Sequence, residues 1–452
     1  MSIRSKLTTG VVGLIVLGVG AWSAALIPSP LSTAVEPIAA TVTPDGVNRH
    51  LVCAGGIAGH IADSADITAV DRVTLSTVSG ERESSMTLAG TENGAVISRS
   101  EGSPVLAATE SGTASDAQLV GYLATECGDA LNDQWLIGGS TETGRESTLM
   151  LSNGADVDAR VDIEIWGANG LVDALGSKGI VVPAHSQRAY SVAGFLPDEA
   201  SPAVHVVSTG AAIWATLQIS AVRGLVPGGL DRIGSIPEPT TTLAFPSVSL
   251  PAEETIGEVL ADPDYSDVSA AIRLLNPGEV DATATIQLIP ADGSDPQSVT
   301  ATVTAGVVAD IALSDFESGD WSIVVTSDQP IVGAIRTGFH DTTSGITDLA
   351  WASASPLHTG RMAIAVPSFG VLGIVNAGTE SVSVEIINSD MGTTVEIPAG
   401  GSVVRQVVAG QVVLRSTGDI AASVSLQTSG GIATVRALSE PHDAGNVVVI
   451  YG

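Results

Sequence analysis

Apolar positions fall into one unbroken run near the N-terminus, and then into many short segments where they alternate with polar ones. Val161, Ile163 and Ile165 make one such segment, and Val382, Val384 and Ile386 make another. A period of two marks a strand with one buried face. Helical spacing is nearly absent after residue 28, so the pattern predicts an all-β protein.

The alternating segments repeat in a fixed order. "VVTSDQPIVGAIRTG" at 324–338 reads as two apolar runs around an Asp-Gln-Pro turn. The same layout returns in "VVSTGAAIWATLQIS" at 206–220 and "VVLRSTGDIAASVSLQTSG" at 412–430. Each is predicted to be a hairpin, and the tip around Thr326 to Pro330 is a candidate contact loop. Upstream of each comes a strand with an Asn turn: "LMLSNGADVDARVDIEIW" from 149, "IRLLNPGEVDATATIQLI" from 272 and "LGIVNAGTESVSVEII" from 372. The units open on "WLIGGS", "LAFPS" and "IAVPS", carry further turns at "PAHS", "TAG" and "PAGG", and end on a last strand such as "ITDLAWAS". Recurrence in the same order predicts internal repeats.

Each unit then holds about seven strands in roughly 90–120 residues, the size of an immunoglobulin-like β-sandwich. The expected domains are sandwiches at 135–240, 241–360 and 361–452. Three units are too few to close a propeller, so a tandem array is expected. Residues 47–134 carry "SRSEGSPVLAATESG", with Pro104 standing where Pro330 does, and are read as a fourth, diverged sandwich.

The unbroken run, "GVVGLIVLGVGAWSAALI" at 10–27, follows Arg4 and Lys6. Its length suits one membrane span, with 1–9 as a cytoplasmic stub and the bulk of the chain outside. A cleaved signal peptide is the alternative, with "SAA" at 23–25 as the cleavage site and a secreted product. Pro28, Pro30, Pro37 and Pro44 make 28–46 an extended linker.

A hydrophobic content of 44% over 452 residues is ample for several cores. The formal net charge of -31 repels phosphate backbones and sets nucleic-acid binding aside. Cys53 and Cys127 lack zinc-like spacing, so in an exported chain a disulfide is the expectation.

Motifs for chemistry are few. There is no GxSxG, no SxxK and no HExxH. Ser140 in "GGSTETG" needs only a turn to explain it. The seven histidines are scattered, and His185 stands where another repeat has Gly400. Asp262, Asp264 and Asp267 share one loop and make the single calcium candidate, although the EF-hand pattern of Gly and Glu is missing. No other cofactor is expected. Trp135, Trp166, Trp214, Trp321 and Trp351 lie in strand patterns and are assigned to cores, which disfavours an aromatic sugar platform but not a hydrogen-bonding site.

The N-terminal apolar run, the early Cys, "GYLATEC", "WLIGGSTETGRESTLMLSNG" and "LLNPG" together resemble an uncharacterised actinobacterial family. Its members are secreted or membrane-anchored and carry a domain of unknown function. The resemblance spans nearly the whole chain. Cys53-Ala54-Gly55 departs from the family's Cys-Pro-Gly, and Asn153-Gly154-Ala155 from its Asn-Pro-Gly. It brings no catalytic residues, and it implies a membrane glycosyltransferase of envelope glycan assembly as partner. The expected function is therefore a non-enzymatic, membrane-anchored extracytoplasmic scaffold or accessory of the cell envelope. The alternatives are an envelope hydrolase or transferase with an inter-domain carboxylate site, and a surface adhesin or ligand-binding module. Oligomeric state is left open.

Overall fold

Alternation becomes burial directly. In the strand Ala159–Gly167, Val161, Ile163 and Ile165 are buried while Asp162 is exposed. Burying each such side chain contributes about 1.5–3 kcal/mol, which fixes the strand's register. The computed structural model describes residues 39–42, 49–59, 69–71, 73–78, 83–91, 94–99, 106–291, 293–388, 391–440 and 448–451. The expected anchor at 10–27 lies outside them. Among the described residues no helix is long and apolar enough to cross a membrane.

The three Asn turns are one structure built three times. Asn153, Asn276 and Asn376 are fully buried. Each side-chain carbonyl accepts the N–H two residues on, from Ala155, Gly278 and Gly378, at 2.9–3.0 Å. Each amide donates to the carbonyl four residues on, those of Val157, Val280 and Glu380, at 2.7–2.9 Å. Gly154-Ala155 therefore makes the turn that Pro277-Gly278 makes, so the departure from Asn-Pro-Gly leaves its geometry intact.

The expected hairpins are not hairpins. Gly319–His340 is one continuous 22-residue strand. Its first half pairs with Thr240–Leu250 and Ala282–Pro290, its second with Ala271–Leu275 and Thr347–Ser353. Gly410–Thr428 crosses between ladders in the same way. In the first repeat the two halves are separate strands, Ala203–Thr209 and Trp214–Arg223, in different sheets. The Asp-Gln-Pro stretch marks the point where one strand changes sheets. Pro330 lacks an N–H and sits in the break of the ladder to Thr240–Leu250, between the paired Thr326 and Ile331, the place a strand tolerates it. Asp328 is also held, accepting the Thr283 N–H at 2.7 Å, so Thr326–Pro330 is not a loop tip.

Each repeat thus has two antiparallel sheets sharing one core. In the first, Asp133–Ile137, Ala203–Thr209 and Ala159–Gly167 face Arg145–Asn153, Trp214–Arg223 and Val226–Gly234. The N-terminal portion has the same order of pairing: Arg49–Cys53, Ala95–Arg99 and Glu83–Thr87 in one sheet, Thr74–Val78, Ala107–Ser115 and Val120–Glu126 in the other. Cys53 and Cys127 form a disulfide here, with a Cα–Cα distance of 4.4 Å. Separately, Ala39–Val42 pairs antiparallel with Val448–Tyr451 as a small unit of its own, so part of the expected linker is a strand.

The four units do not form a string. Their closing strands, Val120–Glu126, Val226–Gly234, Thr347–Ser353 and Gly431–Arg436, contact one another in a cycle, and the last returns to the first. Cores fuse across the units: Tyr122 and Ala124 join the third repeat's cluster, and Leu275, Val332 and Trp351 join the first's. Counting three blades had argued against a ring. The N-terminal unit supplies the fourth member that closes it.

Candidate functional site

Two polar nodes hold the ring together. Gly121, Gly229 and Gly431 stand at matching places in three closing strands with φ of 153°, 123° and 145°, and Asp348 occupies that place in the fourth. The carboxylate fills the space that the missing side chains leave. A Cβ on Gly121 would lie 2.6 Å from Asp348 Oδ1, and one on Gly431 would lie 1.6 Å from Oδ2. The residues after the glycines donate to it: Leu230 N–H to Oδ1 at 2.8 Å, Tyr122 and Ile432 N–H to Oδ2 at 3.1 and 3.0 Å. Complete burial pushes this carboxyl up to about 8, against the pull of those N–H groups.

The second node is Arg436. Its Nε donates to Glu126 at 2.8 Å, and its Nη groups donate to the carbonyls of Ala354 at 3.1 Å and Ser235 at 2.9 Å. Arg436 so touches the N-terminal unit and both other repeats. Nearby, burial raises Asp231 well above the usual carboxylate range, and raises Glu110 to about 7 despite Arg232 at 3.6 Å. Arg232 itself donates to the Gly55 and Gly56 carbonyls and to Gln218, and Glu110 accepts the Ala54 and Gly55 N–H groups. The Cys-Ala-Gly stretch is thereby fastened to the next unit.

Access lies elsewhere. Between the second and third repeats runs an open groove of about 950 Å³. Its floor includes Ala350, Ala352, Ile432 and Ala433 from two closing strands. The walls are pinned at their base: the Ser247 hydroxyl donates to the Val371 carbonyl and pairs with Ser425 Oγ, each at 2.9 Å. Gly373 packs so closely that a Cβ would meet the Pro246 carbonyl at 1.8 Å. Asp320, His340, Asp341 and the half-exposed Phe369 face this groove, and among the described residues no Lys or Arg lines it. His340 Nδ1 lies 2.9 Å from Thr347 Oγ1. The Ser344 hydroxyl and the Thr343 N–H hold the Asp341 carboxyl below the usual range.

The calcium candidate is not assembled. Asp267 is engaged by Arg145 at 2.7 Å and Arg223 at 2.6 Å. Asp262 accepts the Asp264 N–H and caps a 3₁₀ turn, and the Asp264 carbonyl accepts from Arg145. Two guanidinium groups satisfy the charge that a cation would need. Among the described residues no group of three His, Cys, Asp or Glu is placed to hold a metal ion.

The other singled-out residues are structural in their contacts. Ser140 bonds Glu142 and the Glu199 carbonyl, His185 holds a left-handed turn at φ 51° beside Asp156, and the five tryptophans are buried. Sequence reading missed Asp348, Arg436 and the groove. The signal for Asp348 was present, as one acid aligned with three glycines at the start of the closing strands.

Residues 78–408 match a family model whose description is a family of unknown function, DUF5719. No curated protein matches. Among solved structures, a calcium-binding mutant of Bacteroides uniformis beta-glucuronidase 2 aligns at 9% identity and a TM-score of 0.12, over 53% of this chain and 28% of that one. The chicken CNTN1 FN1-FN3 domains align at 10% identity and a TM-score of 0.10, over 71% of this chain and 100% of that one. The chain spans about 28% of the length of the beta-glucuronidase.

Proposed function

The chain belongs to the DUF5719 family, whose function is unknown, and we propose that it is a non-catalytic, membrane-anchored extracytoplasmic accessory protein of the cell envelope. In this reading residues 10–27 are the anchor, and immunoglobulin-like units closed into a ring present the groove to envelope partners. The resemblance to actinobacterial envelope proteins makes a membrane glycosyltransferase of glycan assembly the partner class. The observation that carries the non-catalytic reading is a separation of chemistry from access. Glu110, Asp231 and Asp348, the carboxyls raised by burial, are sealed inside the ring. In the groove, where a substrate could enter, Asp341 is shifted the wrong way for a general acid. The Cys53–Cys127 disulfide supports an oxidising compartment outside the cytoplasm.

A second reading is an envelope hydrolase or transferase, favoured by Asp320, His340 and Asp341 sharing the groove. Photocross-linking in living cells tests the first. A photoreactive residue replaces either Phe369 at the groove or Leu225, which is 97% exposed on another unit. Capture of one envelope protein from position 369 and not from 225 is expected. Equal capture from both sites, or none from either, overturns the reading.

A further inference from the structure

We infer that the groove between the second and third repeats binds an uncharged oligosaccharide segment. This rests on the reading of the groove as the protein's exposed binding face, and adds the chemical class of its occupant.

Charge narrows the class first. Asp320 and Asp341 line the groove with no Lys or Arg beside them among the described residues, so phosphates, carboxylated polymers and nucleic acids meet repulsion and find no counter-charge there. The remaining polar lining is mostly hydroxyl and amide: Ser249, Thr337, Thr428, Thr434 and Gln427 contribute from both walls. Such groups both donate and accept, as a polyol requires of its site, and carboxylate oxygens accept from paired hydroxyls.

Phe369 supplies the second element. It is 53% exposed, the single exposed aromatic among the described residues, and it stands at this groove. A ring left in water beside a polar wall offers a flat apolar face for the C–H face of a pyranose, while hydroxyls at the sugar's rim reach the wall. Val248, Phe339, Leu426 and Ile432 also line the groove, so the C–H faces of further rings find apolar surface beside the polar wall. The volume of about 950 Å³ lies at the upper end for small-molecule sites and so admits several linked rings. The walls are pinned by Ser247 and Gly373, and the floor strands are fixed through Asp348, so the site is formed in advance of its ligand.

Isothermal titration calorimetry of the full chain with maltohexaose, mannohexaose and xylohexaose tests this, with hexagalacturonate and hexalysine as charged controls. Saturable binding of at least one neutral hexasaccharide is expected, weakened about five- to tenfold by Phe369→Ala. Gln427→Ala should weaken it also, with the unfolding midpoint unchanged in both variants. Absence of binding by every neutral sugar, binding of hexagalacturonate with equal affinity, or binding of hexalysine alone overturns the inference. So does neutral-sugar binding that Phe369→Ala leaves intact. Reducing-end release by the bound sugar would uphold the site and overturn the non-catalytic reading. Groove-specific cross-linking to an envelope protein without sugar binding would do the reverse.

Discussion

Asp348→Asn keeps the shape of the side chain and changes what it can accept. In the native protein Oδ1 takes one N–H, from Leu230, and Oδ2 takes two, from Tyr122 and Ile432. An amide nitrogen must replace one of those oxygens, and the cheaper orientation turns it toward Leu230. One buried N–H then loses its acceptor, which costs about 1–3 kcal/mol. The variant should therefore be less stable than the native chain at pH 5. Asp348 is raised from 3.8 in the unfolded chain to about 8 in the ring. A carboxyl shifted upward binds more protons folded than unfolded between those values, so native stability falls as pH climbs through that window. From pH 5 to pH 8 the loss from this one group is on the order of 3–4 kcal/mol. Asn does not titrate and escapes it, while the shared contributions of Glu110 and Asp231 largely cancel in the comparison. Urea unfolding of both proteins at pH 5, 6.5 and 8 should show the native advantage shrinking and then vanishing or reversing. A gap that stays constant or widens with pH would mean the carboxyl is ionised in the ring, and would refute the reasoning.

Gly431→Ala places a Cβ 1.6 Å from Asp348 Oδ2 at a φ of 145°, and should cost about 3 kcal/mol or more; Gly345→Ala, with nothing within 4 Å, should cost about 1 kcal/mol for its left-handed backbone alone, both read by urea midpoint. Reducing the Cys53–Cys127 bond, which spans 74 residues, should remove about 4 kcal/mol in the chain-entropy model, seen as a lower midpoint with dithiothreitol. Asp267→Asn leaves Arg145 and Arg223 without their carboxylate and should destabilise by about 2–4 kcal/mol. Millimolar calcium should leave the native melting temperature unchanged.

Local features were legible and closure was not. The Asn turns could be read from spacing because an Asx turn is made by residues within four positions of each other. Alternation at 161–165 and 382–386 named its buried face for the same reason. The stretch around Pro330 misled because a turn and a strand changing sheets use the same punctuation: a break in the ladder, a missing N–H and a short polar side chain. What separates them is which strands lie alongside, and those come from 240–290 and 347–353. The ring depends on pairs such as Tyr122 with Asp348 and Glu126 with Arg436, which no local pattern encodes. The groove draws Ser247, His340, Phe369 and Thr434 from four distant strands or turns, so none of them stood out singly.

The bond from Arg436 back to Glu126 spans 310 positions, and it sets a timetable for biogenesis. Chains emerge N-terminus first, and contacts between distant positions form slowly. The N-terminal unit must wait through the synthesis of every other unit before its neighbour on one side exists. Among the described residues its buried clusters are built around Leu51, Ile97 and Leu106 on one side and Leu123 on another. This early unit is also the one that carries the disulfide, so oxidation can hold it in shape while its partner strand is still unmade. Newly made chains kept reduced should accumulate as protease-sensitive, unsealed intermediates, a defect of arrival order rather than of the finished ring.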